Sequence, residues 1–505
     1  MKRTLKHLIL SVVLSSSVNL ANAQPTATHS VSDVPGEFRD LYDQLETKLD
    51  DLNDYVSLNW DGSKHPVVFA TELLAASANR GDMVLDPQVF EAVKFNLDAF
   101  QTLGVTGVSI DIKYPVIVPT FPRSDDYIEF FRNVTAEIRN RGFTLLIAIQ
   151  TVFTDSIFGR QDVDFTGLTL EQYKNEKRQM AQTVIHEFHP DYLTIETEPA
   201  TQARNTGLEF SVDNVTDIVN FVLDGLDRDG TLVGAGAGTW DDMTYIQSLS
   251  ENTSIDYLDI HIYPIHGDLI IDRMETIQQI AQTNNKKIVL GESWLYKTSQ
   301  AEMADPEINH LDIFPRDVFD FWTPLDQTFI ELMVTLSHYI QTDFTSLFWM
   351  RYFWGYIPYN DTTRALAATQ RYAAVDQVVG VNMWMGNMTP TGQTYQQLLQ
   401  ENTPVESSSS GTPAAFTLGQ NHPNPFNPRT VIPYELPVAS SVRISVYNAL
   451  GQEVKTLVES HRSAGHHQAV WDGTDASGHL MGSGVYVCIL RTGQHTDSRK
   501  MLLLR

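Results

Sequence analysis

The chain of 505 residues is too long for one small domain, and its 42% hydrophobic content is ample for a large core with a second unit attached. A net charge of −27 repels nucleic acid and anionic membranes, so neither is an expected partner, whereas a neutral polysaccharide suits it. The acidity belongs to the part before Ala414, since residues 415–505 carry 8 Lys/Arg against 6 Asp/Glu.

The N-terminus reads as an export signal over residues 1–23. Lys2, Arg3 and Lys6 form the basic start, Leu8 to Leu14 the apolar centre, and Ala21-Asn22-Ala23 the cleavage site before Gln24. The apolar run is too short to span a membrane, which takes about 20 residues. Residues 24–64 form a helical lead-in, with helix-like periodicity over 36–60. From His65 strands alternate with helices. Strands are expected at 66–71, 107–112, 143–149, from Tyr192 to Glu198, at 231–237, 255–261, 287–292 and 344–349. Helices are expected over 87–103, 125–140, 170–188, 212–226 and 325–340. This alternation over 65–402 predicts an α/β fold, the (β/α)8 TIM barrel. An open doubly wound sheet is the rival, and the Gly-rich first turn it usually carries is missing. Residues 403–414 read as a Ser/Pro linker. Short alternating strands over 415–505 predict a small all-β, Ig-like sandwich. Its single cysteine, Cys488, reads as a core residue; alone it excludes an intramolecular disulfide, a cysteine-based zinc cluster and an iron–sulfur centre.

Glu198 and Glu292 each end a hydrophobic strand-like run, Tyr192-Leu-Thr-Ile-Glu-Thr-Glu198 and Lys287-Ile-Val-Leu-Gly-Glu292. In a parallel barrel such strand ends converge on the face where active sites form. Two carboxyl groups there are the minimal machinery for cleaving a glycosidic bond. Glu196 competes, because strand alternation sends Thr194, Glu196 and Glu198 to one side. Trp240, Trp294 and Trp349 offer flat surfaces for pyranose rings. His261 reads as a hydrogen-bonding residue; no second ligand stands at metal spacing, and neither a metal nor a cofactor is expected.

Two resemblances extend this reading. His422-Pro-Asn-Pro-Phe-Asn-Pro428, Val446-Tyr-Asn-Ala-Leu-Gly-Gln-Glu-Val454, Gly482-Ser-Gly-Val-Tyr486 and Lys500-Met-Leu-Leu-Leu-Arg505 resemble the C-terminal sorting domain of type IX secretion substrates. Flagellar-hook-capping Ig-like domains share the pattern. The sorting resemblance implies a Gram-negative source, passage across the outer membrane and the type IX machinery as a partner. The barrel resembles clan A glycoside hydrolases. Thr197-Glu198-Pro199 matches that clan's acid/base position after strand four, and Gly291-Glu292-Ser293-Trp294 its nucleophile on strand seven. His261-x-Tyr263 matches the pair flanking the nucleophile, and Trp349 the aromatic floor. Two departures stand out. Thr197 replaces the clan's Asn, which contacts the sugar 2-hydroxyl, and Asp111-Ile-Lys113 stands where an Arg is usual, with Lys113 as the substitute cation.

The expectation is therefore a secreted retaining β-glycoside hydrolase, endo-acting on a galactan, glucan, mannan or xylan. Glu198 starts protonated as acid/base, and Glu292 attacks as a carboxylate held by Tyr263. The rivals are an inactive carbohydrate-binding barrel and an inverting enzyme using Glu196 or Asp111.

Overall fold

The computed structural model describes residues 34–153, 163–263, 265, 269–303, 310–402, 416–421, 424, 426, 428, 430–448, 450–462, 464–493 and 495–504, without the side chains of 310, 311, 466 and 468. The expected signal peptide and linker lie outside them. The chain forms two compact units, divided between Asn402 and Thr403.

In the first unit eight parallel strands close into a barrel in sequence order. They are β1 Val68–Glu72, β2 Gly107–Asp111, β3 Thr144–Ala148, β4 Tyr192–Glu196, β5 Leu232–Gly238, β6 Tyr257–Ile262, β7 Lys287–Ser293 and β8 Phe344–Leu347. Helices cover the outside, including Pro87–Leu103, Ser124–Asn140, Leu170–Phe188, Val212–Leu223 and Thr323–Tyr339. Their apolar stripes explain the docking: Val93, Leu97 and Phe100 are buried on the first of these, and Tyr173, Met180, Val184 and Phe188 on the third. The lead-in helix Arg39–Asn59 buries Leu41, Tyr42, Leu45, Leu49, Leu52 and Val56 and packs on Thr323–Tyr339.

Inside the barrel Ala70, Leu146, Ala148, Tyr192, Tyr257, Val289 and Phe344 form the apolar floor. Above it the inward residues turn polar. Ser109 and Ser346 share a 2.7 Å hydrogen bond, and Asp259 accepts bonds from Thr194 Oγ1 at 2.6 Å and Gly291 N at 2.9 Å. A Cβ at Gly291 would stand 2.3 Å from Asp259 Oδ1, so glycine there is what lets the carboxylate in.

The second unit pairs two antiparallel sheets, β13-β10-β9 and β12-β11-β14-β15, built from Thr417–Leu418, Thr430–Leu436, Ser440–Asn448, Glu453–Arg462, Gly465–Trp471, Gly484–Thr492 and His495–Leu503 as β9 to β15. Ile432, Ile444, Trp471, Cys488 and Met501 lie in its core. Of the His422–Pro428 motif only Asn424, Phe426 and Pro428 are described; Phe426 N bonds to Leu502 O at 2.9 Å and its ring packs against Trp471. Asp472-Gly-Thr-Asp475 is a turn in which Asp472 pairs with Lys455 at 3.0 Å.

Candidate active site

Strand β7 runs through Glu292 to Ser293, with Gly291 as an extra residue that brings His261 of β6 directly opposite Glu292. Strand β4 ends differently from expectation. Pairing with β5 skips Ile195, and the strand stops at Glu196. Glu198 then takes a left-handed conformation, φ 49° and ψ 64°, immediately before the helix Pro199–Thr206. A non-glycine residue held there carries backbone strain, a feature concentrated at functional sites.

The skipped residue also reverses Glu196. It bonds to Tyr173 Oη at 2.9 Å and faces Lys177 Nζ at 3.4 Å, both on the helix Leu170–Phe188 outside the barrel. Thr194 points inward, to Asp259. The expectation that Thr194, Glu196 and Glu198 share a side is thus wrong for Glu196, and an inverting enzyme built on it is excluded by its position.

Glu198, His261 and Glu292 come together, each offering an atom within 4.8 Å of the others. His261 Nδ1 donates to Glu198 Oε1 at 2.7 Å and lies 3.8 Å from Glu292 Oε2, while its Nε2 is 3.8 Å from Asp259 Oδ1. Tyr263 Oη donates to Glu292 Oε2 at 2.9 Å. Gln150 Nε2 donates to the other oxygen, Oε1, at 2.9 Å. Lys113 Nζ bonds both Asp111 Oδ2 and Gln150 Oε1 at 2.6 Å, so Lys113 acts on Glu292 through Gln150.

Burial opposes a charge on His261, but Glu292, the bond to Glu198, and Asp259 lift it to about 10. As a cation, His261 donates from its ring nitrogens and links the surrounding carboxylates in a hydrogen-bonded chain. Burial raises Glu292 to about 7, with Asp111 and Glu198 adding to the rise against His261. Burial acts the same way on Glu198, yet the bond from His261 overcomes it and draws the carboxyl below its ordinary value. Two carboxyls this close share their protons, with the bond from His261 favouring charge on Glu198 and burial opposing charge on Glu292.

The tryptophans divide. Trp294 is 1% exposed, stacked on Tyr352 with Phe329 and Phe353 at its edges, and has no face for a sugar. It is a core residue, because the side chain following Glu292 and Ser293 projects towards the helix layer. Trp240 is half-buried and meets Tyr263 edge-on. Trp349 follows β8 and packs against Phe348, which in turn meets Tyr263. Thr197 is fully buried and its Oγ1 has no hydrogen-bond partner among the described residues.

Sequence reasoning missed Gln150, Asp259, Asp241 and Glu72. Gln150 continues the inward phase of Leu146 and Ala148, and Glu72 that of Val68 and Ala70, so the period of two was the available signal. Asp241 accepts from Gly238 N at 2.9 Å; burial, opposed by that bond, and the charge of Glu198 bring it to about 6.

The FlgD Ig-like domain family matches residues 430–489. No curated protein matches the sequence. Among solved structures, an endo-beta-1,4-mannanase from Thermotoga petrophila is 12% identical, with 88% of this chain and 98% of that one covered and a TM-score of 0.36. A GH5_18 protein from Bifidobacterium longum subsp. infantis is 12% identical over 67% and 79%, with a TM-score of 0.43. FlgD from P. aeruginosa is 29% identical over 15% and 57%, with a TM-score of 0.13. No helix among the described residues is long and apolar enough to cross a membrane.

Proposed function

We propose that the barrel is a retaining β-glycoside hydrolase, with Glu292 as nucleophile and Glu198 as acid/base. The observation that carries the reading is the approach of the two carboxyls, with oxygens within 4.8 Å at the end of the barrel where β4 and β7 finish. Retaining enzymes hold their carboxyls about 5–5.5 Å apart, and inverting ones about 6.5–9.5 Å.

Glu292 Oε attacks the anomeric carbon as the bond to the leaving oxygen breaks, and Glu198 delivers its proton to that oxygen. Water then attacks the glycosyl-enzyme, and Glu198 takes the water's proton. Tyr263 and Gln150, one on each Glu292 oxygen, fix the attacking carboxylate. Two carboxyls this close titrate as a pair, and the reaction needs one proton between them. His261 decides where it sits. Its Nδ1–H holds Glu198 ionised at 2.7 Å; turning that N–H towards Glu292 Oε2, now 3.8 Å away, frees Glu198 to take the proton. The same bond to Glu198 suits the second half of the cycle, when Glu198 must be a base and Glu292 carries no charge.

The substrate is a neutral β-linked polysaccharide, consistent with the acidic charge and with the half-buried Trp240 against Tyr263, the Glu292 partner. The residue 1–23 signal and the tail's resemblance support a secreted or cell-surface enzyme exported by the type IX machinery. An inactive carbohydrate-binding barrel is the second reading, favoured by Thr197, whose hydroxyl is sealed away from the cleft. Reducing-end release from galactan, glucan, mannan and xylan, with wild type beside Glu292→Ala, separates them. Release that vanishes in the variant supports the enzyme. Equal release from both removes Glu292 as nucleophile, and glycan binding without release selects the binding protein.

A further inference from the structure

Resting on the glycoside hydrolase reading, we propose that Glu72 is a substrate ligand, binding a hydroxyl of the sugar ring seated over Glu292 and so selecting among epimeric sugars. Glu72 is the last residue of β1 and follows Val68 and Ala70 into the barrel. It is 3% exposed, and it shares with Asp111, Asp259, His261 and Glu292 a cavity of about 10 Å³, close to the space one water needs.

What sets it apart is an unmet bond. Asp111 has Lys113, Asp259 has Thr194 and Gly291 N, Glu292 has Tyr263 and Gln150, and Glu198 has His261. Glu72 Oε2 is sealed from solvent with no hydrogen-bond partner among the described residues. Lys113, the cation whose charge acts on it most, is hydrogen-bonded to Asp111 and Gln150. A buried carboxyl left unbonded is destabilising, and its retention beside a reacting pair asks for a partner from outside the chain.

The chemistry of that partner follows from the surroundings. Burial, Asp111 and Glu292 push the Glu72 carboxyl well above the usual range. A neutral acid donates one hydrogen bond and accepts another, which matches a hydroxyl, itself donor and acceptor, rather than an ammonium or a metal ion. A site built around one hydroxyl discriminates against the epimer that points it elsewhere.

The test uses the full chain as wild type, Glu72→Leu and Glu72→Gln. It measures kcat/KM on the polysaccharide panel, Tm, and calorimetric binding of deoxynojirimycin, deoxymannojirimycin and deoxygalactonojirimycin. Glu72→Leu is expected to lose about 10- to 100-fold in kcat/KM and in affinity for the preferred probe, and to lose preference among the three. Its Tm should equal or exceed that of wild type, and Glu72→Gln, which keeps a donor and an acceptor, should restore most of the binding. Glu72→Leu within threefold of wild type overturns the assignment and leaves the hydrolase standing. Loss in proportion to a lowered Tm marks a structural group and also overturns it. If wild type cleaves nothing, the hydrolase reading falls; probe binding lost in Glu72→Leu would still support the ligand role, and probe binding unchanged or absent throughout would end it.

Discussion

Glu196 and Glu198 stand two positions apart, both buried, and live in opposite kinds of surroundings. Outside the barrel, Glu196 is closed in by Tyr173 and Lys177, whose Nζ also bonds Ile149 O at 2.6 Å. Inside, Glu198 belongs to a group in which Glu72, Asp111, Asp259 and Glu292 crowd around Lys113 and His261. The first cluster balances its charge and holds a helix to a strand. The second carries more carboxyls than cations, so protons must be shared and are free to move. The same side chain is balanced by one buried cation in the first cluster, whereas in the second, short of cations, it is placed to exchange protons.

Removing a member of the inner group should break that contrast most sharply. Glu292→Ala is expected to lower kcat by about 10⁴- to 10⁶-fold with little change in Tm, measured by reducing-end release and calorimetry. Glu198→Gln should lower kcat by about 10²- to 10⁴-fold, less for substrates whose leaving group needs no proton; equal loss on both substrate types would deny it the acid role. On the outer side Glu196→Gln leaves Lys177 buried without its counter-charge. It should destabilise by about 3–5 kcal/mol in denaturant unfolding while kcat of the folded enzyme stays within about twofold.

The smallest expected effect is on pH dependence. Glu292 has a folded value of about 7 against 4.5, so the folded state keeps a proton that the unfolded chain releases between those values, and stability falls as pH rises through them. His261, raised from 6.5 to about 10, contributes stability that is complete below 6.5 and lost as pH climbs towards 10. Glu198, drawn below 4.5, adds stability present above that value and lost as pH falls below it. Unfolding free energy should therefore decline above pH 4.5, by up to about 1.4 kcal/mol per pH unit for each proton, and Glu292→Gln should flatten the part from 4.5 to 7. The pair's last proton leaves near 7, so kcat/KM should fall above that pH.

The barrel was legible because its strands and helices alternate in hydrophobic period, and the predicted helices 87–103 and 170–188 match the observed ones at both ends. The proposed pair, Glu198 and Glu292, was legible as two acids after apolar runs, and the fold brings their carboxyls together. The reversal of Glu196 was not, because skipping Ile195 is a pairing event between β4 and β5 that leaves no mark in composition. Trp294 was misread for a related reason: an aromatic next to a reactive residue looks like a sugar platform until its neighbours Tyr352, Phe329 and Phe353, distant in sequence, close around it. The bond from His261 to Glu198 was not legible either, because its 2.7 Å distance is set only by the folded site.

The claim that Glu292 forms a covalent bond to the sugar is tested most directly by trapping that bond. The full chain would be incubated with 2-deoxy-2-fluoroglycosyl fluorides of gluco, manno and galacto configuration, and its peptides mapped by mass spectrometry. The account predicts one fluoroglycosyl mass on the peptide bearing Glu292, with inactivation in step with labelling and neither event in Glu292→Gln. Label on Glu198 or Glu72, or turnover of these fluorides with inversion at the anomeric carbon, would contradict it.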